Sequence, residues 1–317
     1  MVITAGIVRR CVWGLALAWL ALMGSSPRML NAGVVPLKPA TLGELQRYLL
    51  THPADVDQFR SRGPFAVATH DDYALRLTHS EHIVADLYLS ASPDKAPLVI
   101  LLHGYDNSKA DHAYQALHLA SWGIHCLAVQ LPNRGQWVRN GRTLARMVDF
   151  IHRHPESIDR RIDPRKIILA GHSFGATSVA IALADRAPAA GGILLDPAAV
   201  GKGLPNLLTR IHKPVIVLGA DESVFPARGR DYFYRFIHNG VAEVSIRGAA
   251  HEDAQFPLER AQSQGADSSA ADEHQVTFVS ALTSAAFSLA STGRLDYAWK
   301  SFDDGIKNGK FIYPRKK

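Results

Sequence analysis

Short aliphatic runs that alternate with helix-forming segments constrain this chain more than any other feature of its sequence. Most of the runs are nearly continuous in apolar character, which is typical of strands buried on both faces of a sheet. They are Pro97–Leu102, His125–Leu131, Lys166–Gly171, Gly191–Asp196, Pro214–Ala220 and Ala242–Ile246. The helix-forming segments between them are Ala110–Trp122, Asn140–His154, Ala176–Ala187 and Arg228–His238. This alternation predicts an α/β fold, with a mostly parallel sheet flanked by helices and joined by right-handed crossovers.

The segments on either side of these runs complete the predicted fold. A helical lead-in, the two strands of a hairpin and a last helix are predicted over Thr41–Gly63, Tyr73–Thr78, His82–Ser90 and His274–Ala290. Only Pro197–Lys213 separates the fourth aliphatic run from the fifth, which is too short for a helical cap domain. We therefore expect no large cap over the carboxyl edge of the sheet, where the sites of such folds lie.

The N-terminus has the parts of a secretory signal peptide. Arg9 and Arg10 form a basic start, Cys11–Met23 is an apolar run, and small residues follow it. The apolar run is shorter than the roughly 20 residues that a membrane-spanning helix needs. We therefore predict a leader over residues 1–32 and a single exported catalytic domain over residues 33–317, with no stable membrane span after cleavage.

The position of cleavage is left open, since Gly24, Ser26 or Ala32 could each be the last residue of the leader. An uncleaved anchor is the alternative interpretation of the same segment. After cleavage only Cys126 remains, so no internal disulfide can form and the exported fold must depend on its core.

Charge and residue clusters argue against several function classes. The chain has 47% hydrophobic and 20% charged residues, which is a globular composition. Its net charge of +6 falls to +3 when residues 1–32, with three arginines and no acid, are removed, so the mature protein is mildly basic. Its terminal segment Tyr313–Lys317 is basic, and we expect it to be solvated rather than to bind nucleic acid. His152 and His154 are spaced as metal ligands could be, but no third ligand is apparent. The sequence therefore predicts no nucleic-acid partner, no metal and no organic cofactor.

The pentapeptide Gly171–Gly175 (GHSFG) joins an aliphatic run to a helix-forming run, which is the strand–turn–helix frame of a nucleophile elbow. The turn is sharp, and glycines at its first and last positions remove side chains that would clash. Ser173 would lie at a helix N-terminus, where free N–H groups favour developing negative charge. We predict that Ser173 is a nucleophile; the alternative is that it only caps the helix.

Attack by a serine on a carbonyl leaves an oxyanion that needs two N–H donors. Phe174 directly follows Ser173 and would supply one of them. Leu101–Tyr105 fits the loop that supplies the other, because an aliphatic strand end is followed by His-Gly and then by Tyr105. His103 follows directly from the buried strand, so we expect it to support the loop rather than to take part in catalysis.

The general base is predicted to be His251. Among fifteen histidines it is the one that lies in a loop after the last aliphatic run, where the base of this kind of site is found. His274 opens the last helix and is expected to be a capping or surface residue. The long irregular segment Glu252–Asp272 begins directly after His251, and loops of this length are often functional or mobile.

The residue pattern leaves open which acid orients His251. Asp196 ends the fourth aliphatic run, whereas Asp221 and Glu222 follow the fifth. Either strand end presents a carboxylate at the carboxyl edge of the predicted sheet, within reach of the histidine. The distance of each carboxylate from the end of its run does not show which of the three is the acid.

Together these motifs resemble the α/β-hydrolases and, within them, the chlorophyllase-like and polyester-hydrolase-like branch of cutinase-type esterases. The similarity covers about Pro97–His251 and is carried by the His-Gly-Tyr loop, a helix and the strand-like "SWGIHCLAVQLP". Phe174 stands where chlorophyllase-like members carry a basic residue. Chlorophyllase-like members carry the acid in the "LLDP" segment, which matches Asp196. Polyester hydrolases and most other members carry it after the next strand, which matches Asp221 or, with the better fit to the usual pattern, Glu222. The resemblance therefore leaves these alternatives open, and we prefer Asp196.

These observations predict an exported serine hydrolase that cleaves carboxylic esters. Ser173 would attack the carbonyl carbon, His251 would take and return the proton, and water would release the acyl-enzyme. Small-molecule or polymeric esters would enter a cleft that no cap covers, with Trp137 and Phe225 as possible walls.

Two rival functions share the same residues. A peptidase or amidase would use the same triad on another bond, and a secreted binding protein would keep the fold without turnover. The complete set of catalytic candidates argues against the binding protein, and a membrane-surface role resting on the basic tail is weaker still. The sequence indicates no oligomeric state.

Overall fold

The protein is described from a computed structural model, over residues 28–30, 41–52, 54–132, 134–223, 229–263 and 270–317. Most of the predicted leader, including its apolar run Cys11–Met23, lies outside the described residues, and so does Phe225.

A ten-stranded sheet forms the centre of the described part of the chain. Its strands are β1 (Arg28–Leu30), β2 (Val67–Arg76), β3 (His82–Ser90), β4 (Ala96–Leu102), β5 (His125–Val129), β6 (Ile162–His172), β7 (Gly191–Leu195), β8 (Val215–Ala220), β9 (Val241–Ile246) and β10 (Phe311–Lys316). Their order across the sheet is β1-β2-β3-β5-β4-β6-β7-β8-β9-β10. The six strands β5-β4-β6-β7-β8-β9 are parallel, and the strands at both edges are antiparallel. The prediction of an α/β fold with a mostly parallel sheet is confirmed.

Helices connect these strands and cover both faces of the sheet. They are α1 (Leu42–Thr51), α2 (Ala113–Ser121), α3 (Trp137–Arg153), α4 (Phe174–Ala184), α5 (Leu204–Leu208), α6 (Gly229–Phe236), α7 (Leu258–Ser263), α8 (Ala270–Thr292) and α9 (Asp296–Lys307). Strand side chains point alternately to the two faces, so each central strand contributes to two cores. Along β6, Ile168 and Ala170 pack with α2, α8 and α9, while Ile167 and Leu169 pack with α3, α4 and α6. This two-sided burial explains why the strands are nearly continuous in apolar residues.

The connection from β7 to β8 contains one short helix, the five-residue α5, and no cap domain. The segment Glu252–Asp272, which we expected to be irregular, is partly helical: a 3₁₀ helix spans His251–Ala254, and α7 follows it. Residues 264–269 of this segment lie outside the described residues.

The basic tail belongs to a strand that the sequence did not predict, and most of its side chains are exposed, as expected of a solvated tail. β10 pairs antiparallel with β9 and brings Arg315 opposite Glu243. The Arg315 guanidinium donates to both carboxylate oxygens of Glu243, at 2.7 Å each, and to the carboxylate of Asp231. Glu243 is completely buried, so its charge needs this partner. A glutamate within a mostly apolar run was the signal in the sequence that this edge is covered.

Three residues of the predicted leader, Arg28–Leu30, form β1 and pair with β2. Cleavage after Gly24 or Ser26 would keep this strand in the exported chain, whereas cleavage after Ala32 would remove it. In the described ranges, which leave out Cys11–Met23, we find no helix with the length and apolar character to cross a membrane.

Candidate active site

Ser173 occupies a strained turn between β6 and α4. Its φ is +52° and its ψ is −116°, a conformation that residues with a side chain rarely adopt. Two hydrogen bonds hold the turn: the Ser173 N–H donates to the carbonyl of Leu195 at 3.0 Å, and the N–H of Ala198 donates to the carbonyl of Ser173 at 3.1 Å. The side chain is thereby held at the carboxyl edge of the sheet, which is the geometry of a nucleophile elbow.

The glycines of the turn allow its close packing. A Cβ on Gly171 would lie 2.6 Å from the carbonyl carbon of Gly175, and a Cβ on Gly175 would overlap the carbonyl oxygen of His103. Gly104 is also needed, since a Cβ there would lie 3.0 Å from that of Ser173. The loop after β4 therefore lies directly against the elbow, as the sequence predicted from the His-Gly-Tyr motif.

The two residues predicted to donate to an oxyanion belong to the elbow and to the loop after β4. Phe174 is the first residue of α4, and Tyr105 follows Gly104. In the part of the chain that the structure describes, neither main-chain N–H has a hydrogen-bond acceptor. Within the described residues, both N–H groups are therefore unbonded, as the predicted role in binding an oxyanion requires.

His103 supports the loop that ends at Tyr105. Its Nδ1 donates to the carbonyl of Gly104 at 2.7 Å, and its Nε2 accepts from the N–H of Leu131 at 3.0 Å and from the Gln130 amide at 2.9 Å. Burial lowers the pKa of His103, which keeps the ring neutral and able to accept at Nε2. These contacts fix the loop without using the histidine as a base.

His251 and Asp196 meet at the same edge of the sheet. The Nδ1 of His251 lies 2.5 Å from Oδ2 of Asp196, which directly follows β7. The other carboxylate oxygen of Asp196 accepts from the N–H of Ala220 at 3.0 Å. Asp196 is 4% exposed and has a φ of +36°, so its backbone is strained as that of Ser173 is.

The two alternative acids support the turn before His251 instead. Oδ2 of Asp221 accepts from the N–H of Gly248 at 3.1 Å, and the main-chain N–H of Glu222 donates to the carbonyl of Ala249 at 2.9 Å. Of the three candidate carboxylates, the one in contact with the His251 ring is that of Asp196.

His172, the second residue of the elbow motif, packs against His251 and was not singled out by the sequence. The two ring centroids are 4.5 Å apart, and Nε2 of His172 donates to the His251 carbonyl at 3.2 Å. The side-chain amide of Gln255 donates from Nε2 to Nδ1 of His172 at 3.2 Å. Its Oε1 accepts from Nδ2 of Asn107 at 2.6 Å. Burial, with a further contribution from His251, holds the pKa of His172 well below its usual value.

These contacts assign the neutral tautomer of His172, with the proton on Nε2, because a main-chain carbonyl can only accept. The result is a chain of hydrogen bonds from Asn107 through Gln255 and His172 to the backbone of His251. The signal in the sequence was the proximity of His172 to Ser173 and of Gln255 to His251, but only folding shows that the two segments meet.

Aromatic rings form a wall beside the elbow. Trp137 stacks on Phe174 with ring centroids 4.2 Å apart, and Tyr105 makes an edge contact with each of them. The position of Trp137 agrees with its predicted place as a pocket wall.

Two cavities adjoin this wall. The smaller, of about 180 Å³, is lined by the loop that contains Tyr105, and the larger, of about 550 Å³, is lined by Thr177, one helical turn after Ser173. Ser173 itself lines neither of them. We take the elbow as the centre of the site because chemistry depends on the reacting side chains and not on cavity size.

The described ranges contain no group of three histidine, cysteine or carboxylate side chains placed to hold a metal ion. His154, one of the two spaced histidines, lies 3.7 Å from Glu156 at the end of α3.

A family model described as "Alpha/beta hydrolase family" matches residues 99–302. The match covers more than half of the chain, and the protein belongs to the α/β-hydrolase family. A comparison with curated protein sequences found no match. Family membership makes the protein a hydrolase by class, and it agrees with the sheet, the flanking helices and the position of the elbow.

Proposed function

We propose that the protein is an exported serine hydrolase that cleaves carboxylic esters with a triad of Ser173, His251 and Asp196. The observation that carries this proposal is the 2.5 Å contact between His251 and Asp196 at the sheet edge that also holds the strained serine turn. A histidine oriented by a carboxylate is the base that a serine hydroxyl needs to become a nucleophile.

The reaction would proceed in two balanced steps. The hydroxyl oxygen of Ser173 attacks the ester carbon while Nε2 of His251 takes the hydroxyl proton, and the oxyanion binds the N–H groups of Tyr105 and Phe174. The tetrahedral intermediate then expels the alcohol, which takes the proton from His251. Water attacks the acyl-enzyme in the same way, releasing the acid and restoring the Ser173 hydroxyl. Asp196 stabilises the charged form of His251 in both steps.

The narrower assignment to the chlorophyllase-like and polyester-hydrolase-like branch is also a proposal. Its support is the motif order from Pro97 to His251. Within this branch, the contact of Asp196 with His251 favours the chlorophyllase-like members, because polyester hydrolases carry the acid after the next strand. Ester rather than amide hydrolysis follows from the resemblance to this branch. The connection between β7 and β8 holds only the five-residue α5 and no cap domain, which supports bulky or polymeric esters as substrates.

Export is proposed from the basic, apolar and small-residue parts of the N-terminal 32 residues. The pairing of Arg28–Leu30 with β2 favours cleavage after Gly24 or Ser26, because the strand then remains with the sheet. Mass spectrometry of the secreted protein tests this directly: a mature chain beginning at Gly33 would contradict the preferred position, and a chain that stays in the cell would contradict export.

Activity-based labelling tests the nucleophile. A fluorophosphonate probe should label the parent protein at Ser173, and hydrolysis of p-nitrophenyl esters should fall by about 10⁴ to 10⁶ in kcat in Ser173→Ala. Parental rates in that variant would refute the assignment, and a folded parent that takes up no probe would favour the binding-protein alternative. Matched esters and amides then separate an esterase from an amidase.

A further inference from the structure

A cleft of about 550 Å³ lies between the first turns of α3, the middle of α4 and the segment around α5. Its apolar side includes Ile181, Leu204 and Leu207. It reaches the elbow at two points: Thr177 follows Ser173 by one turn of α4, and Trp137 stacks on the residue after Ser173. The cleft therefore adjoins the position of a bound ester.

Three arginines of α3 line the other side of this cleft: Arg139, Arg142 and Arg146. Their spacing of three and four residues places them on one face of the helix. Arg146 is paired, since it donates to Glu81 at 2.6 Å and to Thr143 at 3.2 Å. No aspartate or glutamate is among the residues that line the cleft.

Arg139 and Arg142 carry positive charge that the described residues do not balance. Both side chains are exposed. Arg139 donates to Oε1 of Gln136 at 3.5 Å, and no carboxylate in the described ranges forms an ion pair with either guanidinium. A guanidinium binds a carboxylate through two parallel hydrogen bonds, which are stronger than bonds between neutral groups. A carboxylate is therefore the group that this side of the cleft is suited to bind.

We propose that the cleft binds a carboxylate carried by the ester substrate, joined to the scissile ester by an aliphatic chain that lies along the apolar side. This inference rests on the proposed function and specifies its substrate class. Arg142 lies five residues beyond Trp137, which is about 7.5 Å along the helix axis. Because Trp137 adjoins the elbow, a substrate that reaches from Ser173 to Arg142 needs several methylene groups between its ester and its carboxylate. The cavity volume is within the range of sites for small molecules, roughly 300 to 1,000 Å³.

Matched pairs of esters test the proposal. p-Nitrophenyl monoesters of adipic and pimelic acids carry the carboxylate on the acyl side, and the hexanoate and heptanoate are their neutral counterparts. The acetate of ω-hydroxyhexanoic acid and hexyl acetate form the corresponding pair for the alcohol side. In at least one pair the parent should prefer the charged ester by about 10-fold or more in kcat/KM, as expected for charge-assisted hydrogen bonds.

The double variant Arg139→Gln/Arg142→Gln should lose this preference and keep the parental kcat/KM for neutral esters. Arg153→Gln removes the same charge from the far end of α3, outside the cleft, and should keep the preference. Added salt should weaken the preference in the parent by screening. Equal rates for charged and neutral esters in every pair, or a preference that survives in the double variant, would overturn the proposal.

A binding measurement separates this proposal from the proposed function. The monoamide of adipic acid should bind the parent and Arg153→Gln more tightly than hexanamide does, by calorimetry, and the double variant should show no such difference. Such binding without ester hydrolysis would leave the carboxylate site intact and refute only the esterase. Hydrolysis of neutral esters without any charge-dependent binding would refute only the carboxylate site.

Discussion

Two clusters in this protein each hold a buried carboxylate against a basic side chain. At the carboxyl edge of the sheet, Asp196 contacts His251 at 2.5 Å. At the side of the sheet that ends with β10, Glu243 of β9 contacts Arg315 of β10 at 2.7 Å through both of its oxygens. The exposed fractions of the two carboxylates, 4% and 0%, are nearly the same. Burial and pairing alone therefore do not distinguish a reactive site from a structural ion pair.

The difference lies in the basic partner and its surroundings. An arginine keeps its charge under all ordinary conditions, whereas a histidine exchanges a proton near neutral pH. Arg315 occupies both oxygens of Glu243 and joins β10 to β9, which is a structural role. His251 uses only Nδ1 for Asp196 and lies beside the elbow with the strained serine. A pair of this second kind can transfer a proton, and the following predictions test the contrast.

The largest expected effect is on catalysis at the first pair. Asp196→Asn should lower kcat for ester hydrolysis by about 10⁴, because the amide no longer holds His251 in the correct tautomer. The midpoint of urea unfolding should change little, since the amide oxygen can still accept from the N–H of Ala220. Parallel Asp221→Asn and Glu222→Gln variants should keep kcat near the parental value; a loss in either that matches Asp196→Asn would reassign the acid.

The second pair should respond in stability and not in rate. Arg315→Met leaves the buried Glu243 carboxylate with only the more distant Arg230, at 3.9 Å, and should cost about 3 kcal/mol in the free energy of unfolding. Burial already raises the pKa of Glu243, so the variant should recover stability relative to the parent as the pH falls and the carboxyl binds a proton.

Urea unfolding at pH 5 and pH 8 measures this effect, with kcat per folded molecule recorded alongside. Lys316→Met, at the next position of β10, is the matched control and should be nearly neutral, because its ammonium group is partly exposed. If Arg315→Met lowered kcat while keeping parental stability, the Glu243–Arg315 pair would affect catalysis and would not be purely structural.

A third effect concerns buried histidines that stay neutral. Burial, with the nearby Arg161 charge as a second cause, lowers the pKa of His125 to about 4. The unfolded chain binds its proton at the ordinary pKa near 6.5, so stability is fully present above that pH and falls as the pH decreases toward 4. At pH 5 this one group should cost about 2 kcal/mol.

His118 and His112, with pKa values lowered by burial to about 3 and about 4, add to the same slope. His125→Gln keeps an acceptor for the Ser90 N–H, which now bonds Nδ1 at 3.0 Å, and removes the titration. Unfolding midpoints between pH 7 and pH 5 should therefore depend less on pH in this variant. An unchanged slope would show that His125 is not held neutral.

The smallest expected effect is at the histidine behind the base. His172→Gln should lower kcat by about 10-fold with little change in KM, because the ring that packs on His251 and orients its backbone is lost. His154→Gln, at a half-exposed histidine directly after α3, is the control and should keep parental kinetics. A parental kcat in His172→Gln would show that His251 keeps its position without this contact.

Local pattern was enough to predict much of the fold. The aliphatic runs that became β4 to β9 are buried on both faces, and such strands are visible in a sequence because every position must be apolar. The strand–turn–helix frame around Ser173 was visible for a similar reason, since the glycines of a tight turn are local requirements. β10 was missed because an edge strand needs few apolar residues, and its partner Glu243 lies about 70 positions away in the chain.

The sequence by itself determined the order of the six parallel strands and of the helices between them, the elbow and the candidate serine, histidine and carboxylates, because these follow from short-range periodicity and turn chemistry. Only the tertiary structure decided which carboxylate contacts His251, that His172 and Gln255 support it, and that Arg139 and Arg142 line a cleft beside the elbow. Contacts between residues far apart in the chain depend on how the strands pair and the helices pack. Three carboxylates were equally suited by position along the chain, and the geometry of the sheet edge brings one of them to the histidine.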